Sequence, residues 1–192
     1  MWQCVTRPGE AGPSVPLTFE HSKSLEINFQ YWPSWVRMVG MGIKLSKARC
    51  RALVISCSDF RFVSAQRQAR LDLGLNNAYD LIARPGGVRQ IVLPTSDAAR
   101  QTMEEEIDLL FELHHFQRIL LMNHMTCGVY RDLAGRRKEE VVHREHLERA
   151  REILAGRFPG LAVETYLSVI DGDGVRVVPL AGGKKLRTSP AN

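Results

Sequence analysis

Two short clusters in the chain bring together residue types that can do chemistry. The first is Cys57-Ser58-Asp59-Phe60-Arg61 and the second is Asn123-His124-Met125-Thr126-Cys127-Gly128. Together they offer two thiols and one imidazole, a set that Zn²⁺ accepts, and three protein ligands leave the fourth position open. His124 and Cys127 can reach one metal from a single turn, and the distant Cys57 would close the site. An open position marks a catalytic zinc rather than a structural one. Two thiolates and a neutral imidazole cancel the zinc charge, so a bound water is less acidic than on a three-histidine zinc and hydroxide forms more readily on the alkaline side. Asp59, two residues beyond Cys57, is the candidate to orient that hydroxide. Arg61 can hold Asp59 through a bidentate pair. Released from Arg61, Asp59 could swing onto the zinc itself, so the dyad suggests an on/off switch. The plainer alternatives are core packing for the thiols and His124, and a surface ion pair or helix cap for Asp59 and Arg61.

Positioning these residues requires strands that end beside one another. Ala52 to Ser56 and Arg118 to Met122 are short apolar runs that read as buried strands, and each ends at one of the two clusters. Asp80 to Ala83 reads as a strand stopped by Arg84-Pro85-Gly86-Gly87. Helices are expected from Ser64 to Leu73, from Pro94-Thr95-Ser96-Asp97 onward with Met103, Ile107, Leu110 and His114 as the apolar stripe, and from Arg136 to Ala155 with Leu147, Ala150 and Leu154 inward. Ala162 to Ile170 and Val175 to Val178, joined by Asp171-Gly172-Asp173-Gly174, read as a hairpin. Strands alternating with helices predict an α/β fold: a mostly parallel central sheet, flanking helices and a C-terminal antiparallel hairpin. In such a sheet chemistry collects beyond the carboxyl ends of the strands, at a topological switch point.

The remaining candidates have plainer readings. Gly86 and Gly87 make a tight turn; the Gly87 amide is a weak candidate for holding a substrate oxygen. His114, on the apolar stripe, reads as a satisfied core histidine. His143 and His146 read as a solvated or half-buried helix face, and Cys4 and Cys50 as bystanders.

The chain has 192 residues, 44% of them hydrophobic and 24% charged, with 26 Lys and Arg against 21 Asp and Glu, a net charge of +5. This excludes a wholly disordered chain, a collagen and a coiled-coil rod. The mild charge has no nucleic-acid recognition motif beside it, so no nucleic-acid partner is expected. No apolar run approaches a membrane span, and the first residues lack a secretory pattern, so the expected location is the cytoplasm with no membrane partner. Three parts are expected: residues 1–45 as an N-terminal arm or extension holding Trp2, Trp32 and Trp35, residues 46–181 as the zinc-binding α/β domain, and residues 182–192 as a frayed basic tail.

Cys57-Ser58-Asp59-Phe60-Arg61 resembles the Cys-x-Asp-x-Arg motif of the β-class carbonic anhydrases, and His124-Met125-Thr126-Cys127-Gly128 resembles their His-x-x-Cys-Gly motif. The likeness, to a compact member of the family, runs from about Leu53 to Val178. It implies that Cys57, His124 and Cys127 bind one Zn²⁺ per subunit, that Asp59 and Arg61 form the catalytic dyad, and that zinc-bound hydroxide attacks CO₂ to give bicarbonate in a reversible lyase reaction. It also implies a homodimer or a dimer of dimers. The sequence departs from the family after the second strand, where Arg84-Pro85-Gly86-Gly87-Val88 stands in place of Arg-Asn-Ala-Gly-Asn; Arg84 and Gly87 match and both asparagines are lost. The alternatives are a hydrolase of a CO₂-like molecule, carbonyl sulfide or carbon disulfide, on the same site; a non-catalytic zinc- or bicarbonate-binding module; and, without metal, an anion cradled by the Gly86-Gly87 turn.

Overall fold

The protein is described here in a computed structural model, in which residues 48–134 and 138–186 are described. The expected arm, residues 1–45, lies outside them with its tryptophans and Cys4, as do residues 187–192 of the expected tail. The described residues belong to one compact unit.

A five-stranded sheet runs in the order β2-β1-β3-β4-β5, with β1 at Ala52–Ser56, β2 at Tyr79–Ala83, β3 at Arg118–His124, β4 at Ala162–Asp171 and β5 at Gly174–Pro179. The first four strands are parallel, and β5 returns antiparallel on β4. The expected fold class is therefore what the chain adopts.

β1 and the centre of β3 are continuous apolar runs because both faces of the sheet are covered there. On one face Leu53, Ile55, Ile119 and Leu121 pack with Met103, Ile107, Leu147 and Leu154. On the other, Ala52, Val54, Leu120 and Met122 pack with Ala69, Leu75 and Tyr166. Five helices connect the strands: α1 at Val63–Asp72, α2 at Arg89–Val92, α3 at Asp97–His114, α4 at Arg131–Ala134 and α5 at Glu139–Arg157. Ser96 caps α3, its hydroxyl accepting the Ala99 N–H at 3.1 Å, as its place before the periodic run requires. The expected long helix is found over Glu139–Arg157, the expected start at Arg136 lying outside the described residues, and the one-turn helices α2 and α4 have no counterpart in the sequence reading.

The chain leaves β1 to form β2 on one side and then crosses to form β3 on the other side of β1. That reversal places the switch point between the carboxyl ends of β1 and β3, where both clusters stand. Strands paired in a sheet lie about 4.8 Å apart, so residues far apart in sequence become near neighbours.

The tail departs from expectation at its start. Gly182 and Gly183 pack against β4 so closely that a Cβ would stand 3.0 Å from the Val163 carbonyl and 2.9 Å from that of Thr165. The Lys184 amide donates to the Tyr166 hydroxyl at 3.1 Å, which in turn donates to buried Glu164 at 2.6 Å. Residues 182–186 are docked rather than frayed, because a buried phenol offers them an acceptor.

Candidate functional site

Cys57 follows the last residue of β1, and Asp59 caps a 3₁₀ turn over Phe60–Phe62 that leads into α1. His124 is the last residue of β3, and Cys127 immediately precedes a second 3₁₀ turn over Gly128–Tyr130. Between them Thr126 takes a positive φ of 59°, which bends the chain sharply enough for His124 and Cys127 to face one point.

The donor atoms of Cys57, His124 and Cys127 all lie within 4.8 Å of one another, and all three residues are buried. The two sulfurs are 3.9 Å apart. Sulfurs held tetrahedrally at about 2.3 Å from a zinc ion stand about 3.8 Å apart, so the spacing fits that ion closely. His124 Nδ1 sits 2.8 Å from the Met125 carbonyl, and a proton on Nδ1 leaves Nε2 as a bare lone pair. That Nε2 is buried and has no hydrogen-bond partner. A buried acceptor without a partner costs about 1–3 kcal/mol; a metal at the same point supplies the missing partner. Phe62 stacks on the imidazole with ring centroids 4.1 Å apart and fixes its plane.

The two thiols differ. The hydrogen bond from Cys127 favours ionised Cys57 and holds its pKa below the usual thiol range, with further support from the Gly86 amide, which donates to its sulfur at 3.3 Å. Cys127 is pushed up by the same pairing and by burial. A cation between them removes the shared proton and satisfies both.

Asp59 and Arg61 form the bidentate pair expected of them. Arg61 Nε lies 3.0 Å from Asp59 Oδ1 and Nη2 lies 2.6 Å from Oδ2. The guanidinium lowers the Asp59 pKa to about 2, so the carboxylate is ionised throughout the working range. Arg61 Nη2 also donates to the Thr126 carbonyl at 3.0 Å and so ties the β1 loop to the β3 loop. Asp59 Oδ2 stands 3.9 Å from His124 Nε2, at the mouth of the donor cluster.

Two groups given no role in the sequence reading, Glu139 and Asn123, support this arrangement. The Glu139 carboxylate accepts the Cys127 amide at 3.0 Å and pairs with His143 Nε2 at 3.2 Å. Asn123 Oδ1 accepts the Val88 amide at 3.3 Å, while its Nδ2 donates to the Tyr130 hydroxyl at 3.1 Å and lies 3.2 Å from His143 Nδ1. The signal for Glu139 was an acid in the first turn of a helix that begins soon after Cys127. For Asn123 it was a polar residue ending a buried strand. The expectation for His143 is corrected. It is fully buried, because Asn123 and Glu139 satisfy both ring nitrogens and Tyr130 packs against it with ring centroids 4.0 Å apart, and burial lowers its pKa. His146, on the same helix, is half-buried with Nδ1 3.2 Å from the Tyr130 hydroxyl. His114 is corrected in the opposite sense: its side chain is 46% exposed and pairs with Asp80 at 2.8 Å, because α3 ends there, beyond the core.

The altered loop after β2 reaches the site. At Gly87, with φ at 52°, a Cβ would stand 2.7 Å from Asn123 Oδ1 and 3.1 Å from the Cys57 amide nitrogen. The Gly87 amide donates to the Arg84 carbonyl at 2.9 Å and closes the turn. Close packing and the turn account for this glycine here. Arg84 is drawn away to a bidentate pair with Glu106 on α3.

Proteins from Rickettsia conorii and Rickettsia bellii, both uncharacterised, are each 33% identical to the chain over 126 residues. The match covers 62% of this chain and 68% and 77% of theirs, respectively. The chain belongs to the family of these rickettsial proteins. No family model matches it. Among solved structures it is similar to the β-carbonic anhydrase isoform I of Trichomonas vaginalis, at 17% identity and a TM-score of 0.44 over 76% of this chain and 91% of that one. It is also similar to a carbonic anhydrase from Glaciozyma antarctica, at 15% identity and a TM-score of 0.44 over 74% and 90%. No helix among the described residues is long and apolar enough to cross a membrane.

Proposed function

We propose that this protein is a carbonic-anhydrase-like enzyme that holds one Zn²⁺ on Cys57, His124 and Cys127 and hydrates CO₂ reversibly to bicarbonate. The observation that carries the reading is the buried donor trio with the unpartnered His124 Nε2, facing a carboxylate already clamped by arginine. Zinc in such a site supplies a Lewis acid with a position for water, whose pKa it lowers.

The chain's own residues do the rest. Arg61 holds Asp59 in one orientation, and Asp59, ionised and at the mouth of the donors, accepts a hydrogen bond from the attacking oxygen and orients it. The Arg61 contact to Thr126 keeps that carboxylate in register with the His124–Cys127 turn. Glu139 fixes the Cys127 amide and with it the direction of the thiolate. Two anionic sulfurs neutralise the divalent charge, so turnover rises toward alkaline pH. The reading includes a homodimer or a dimer of dimers; Phe60, next to Asp59, is 84% exposed and gives a second copy an apolar residue to cover.

Replacing Asp59 by Asn separates binding from turnover. The variant keeps its zinc and loses about 10²–10⁴ in CO₂ hydration, the range of general acid–base and orienting groups. Full activity in Asp59→Asn removes the carboxylate from the mechanism. The altered loop favours a second reading, since Arg84 is turned onto Glu106 and residues 84–88 include no asparagine: hydrolysis of carbonyl sulfide or carbon disulfide on the same site. Sulfide release by the zinc-loaded protein, with no CO₂ hydration, would replace the first reading by this one.

A further inference from the structure

The geometry points to a second metal site, at the opposite end of the sheet from the first and independent of the function proposed above: Cys50, Asp80 and His114 bind a zinc-class divalent cation. The three come from three different segments. Cys50 precedes β1, Asp80 lies at the start of β2, and His114 is the last residue of α3. Their donor atoms all lie within 4.8 Å of one another. The Cys50 sulfur is 3.4 Å from Asp80 Oδ2, and His114 Nδ1 is 2.8 Å from the same oxygen.

Donors held tetrahedrally about 2.0–2.3 Å from a zinc ion stand about 3.3–3.8 Å apart. The sulfur–carboxylate spacing already meets this, and the His114 ring need only withdraw by about half an ångström. His114 is free to do so, because its side chain is half exposed and sits at a helix end. One thiol, one imidazole and one carboxylate are three of the ligand types zinc takes, and the exposed side leaves the remaining position to water. The location adds electrostatic support. The cation would stand at the C-terminus of α3, an 18-residue helix, whose last carbonyls carry the negative end of the helix dipole. Binding would fasten the end of α3 to the paired starts of β1 and β2, which His114 otherwise meets here through its hydrogen bond to Asp80.

The test is metal stoichiometry on the full-length protein, stripped with chelator and equilibrated with Zn²⁺ in dialysis. Wild type is expected to hold about two ions per chain, and Cys50→Ser and His114→Gln about one each. Cys57→Ser is expected to keep the ion that Cys50→Ser loses, so failure of the first site and failure of the second are read separately. Loading with Co²⁺ gives a second readout: thiolate-to-cobalt charge-transfer absorption falls in Cys50→Ser. His114→Gln alters an exposed side chain, and melting in chelator verifies that both variants fold. Cys50→Ser and His114→Gln holding as much metal as wild type, at the same affinity, would overturn the site and leave a hydrogen-bonded Asp80–His114 pair.

Discussion

The two cysteine–histidine clusters stand at opposite ends of the same sheet and differ in how their polar atoms are satisfied. At the carboxyl ends of β1 and β3, Cys57, His124 and Cys127 are buried, and His124 Nε2 has no partner. At the amino ends of β1 and β2, His114 and Cys50 both turn to Asp80 and are satisfied without a metal. The first cluster is built around an unpartnered imidazole nitrogen and is held by a shell of buried contacts: Phe62 on the imidazole, Gly86 on one thiol, Glu139 behind the other. The second has water on one side and no such shell. Preorganisation of this kind stabilises an occupied site and leaves an empty one costly. The first cluster therefore carries the proposed chemistry, and the cation proposed at the second fastens α3 to the sheet.

The largest effect that would break this contrast comes from Cys57→Ser. It removes a buried thiolate, and zinc at the first cluster and CO₂ turnover both fall to background. Metal analysis and a hydration assay on the same preparation check it; retained turnover would show that the buried cluster is not the centre. Arg61→Lys comes next. Lysine keeps the charge but cannot make the bidentate clamp, so Asp59 is released while the ligands remain. Zinc content is expected to stay near wild type and turnover to drop by about tenfold or more, and loss of zinc instead would make Arg61 a prop of the metal site.

The supporting shell is tested more gently by Glu139→Ala. Second-layer partners of ligands are worth about 10–100-fold in metal affinity, and competition with a chelator reads this directly. An unchanged affinity would mean that Glu139 serves the start of α5 rather than Cys127. Smallest is Gly87→Ala, which places a Cβ against Asn123 and the Cys57 amide in a left-handed conformation. A loss of about 1–3 kcal/mol in denaturant unfolding is expected, and an unchanged midpoint would show that the loop yields easily.

How far the molecule was legible in its sequence follows from the same contrast. Ala52–Ser56 and Arg118–Met122 declare themselves as continuous apolar runs between polar clusters, and the switch point follows once they are placed side by side. Cys57, Asp59, Arg61, His124 and Cys127 were legible because each cluster sits within a few residues of a strand end. Their supports were not. Helical spacing sets which residues share a face but not which face meets a buried polar group. His143 was therefore placed on a solvated or half-buried face and is fully buried on Asn123, and His114 was placed in the core and lies at the surface on Asp80. Gly182–Leu186 looked like free basic tail because its anchor, the paired Tyr166 and Glu164, is a tertiary feature that no local pattern announces.

The most direct test of the central claim is isotopic exchange between CO₂ and bicarbonate by purified protein of known zinc content, from about pH 6.5 to about pH 9.5, the span across which a water less acidic than that on a three-histidine zinc should ionise. The account predicts exchange well above buffer that rises with pH and disappears on zinc removal. Full zinc at Cys57, His124 and Cys127 with no exchange at any pH would contradict it.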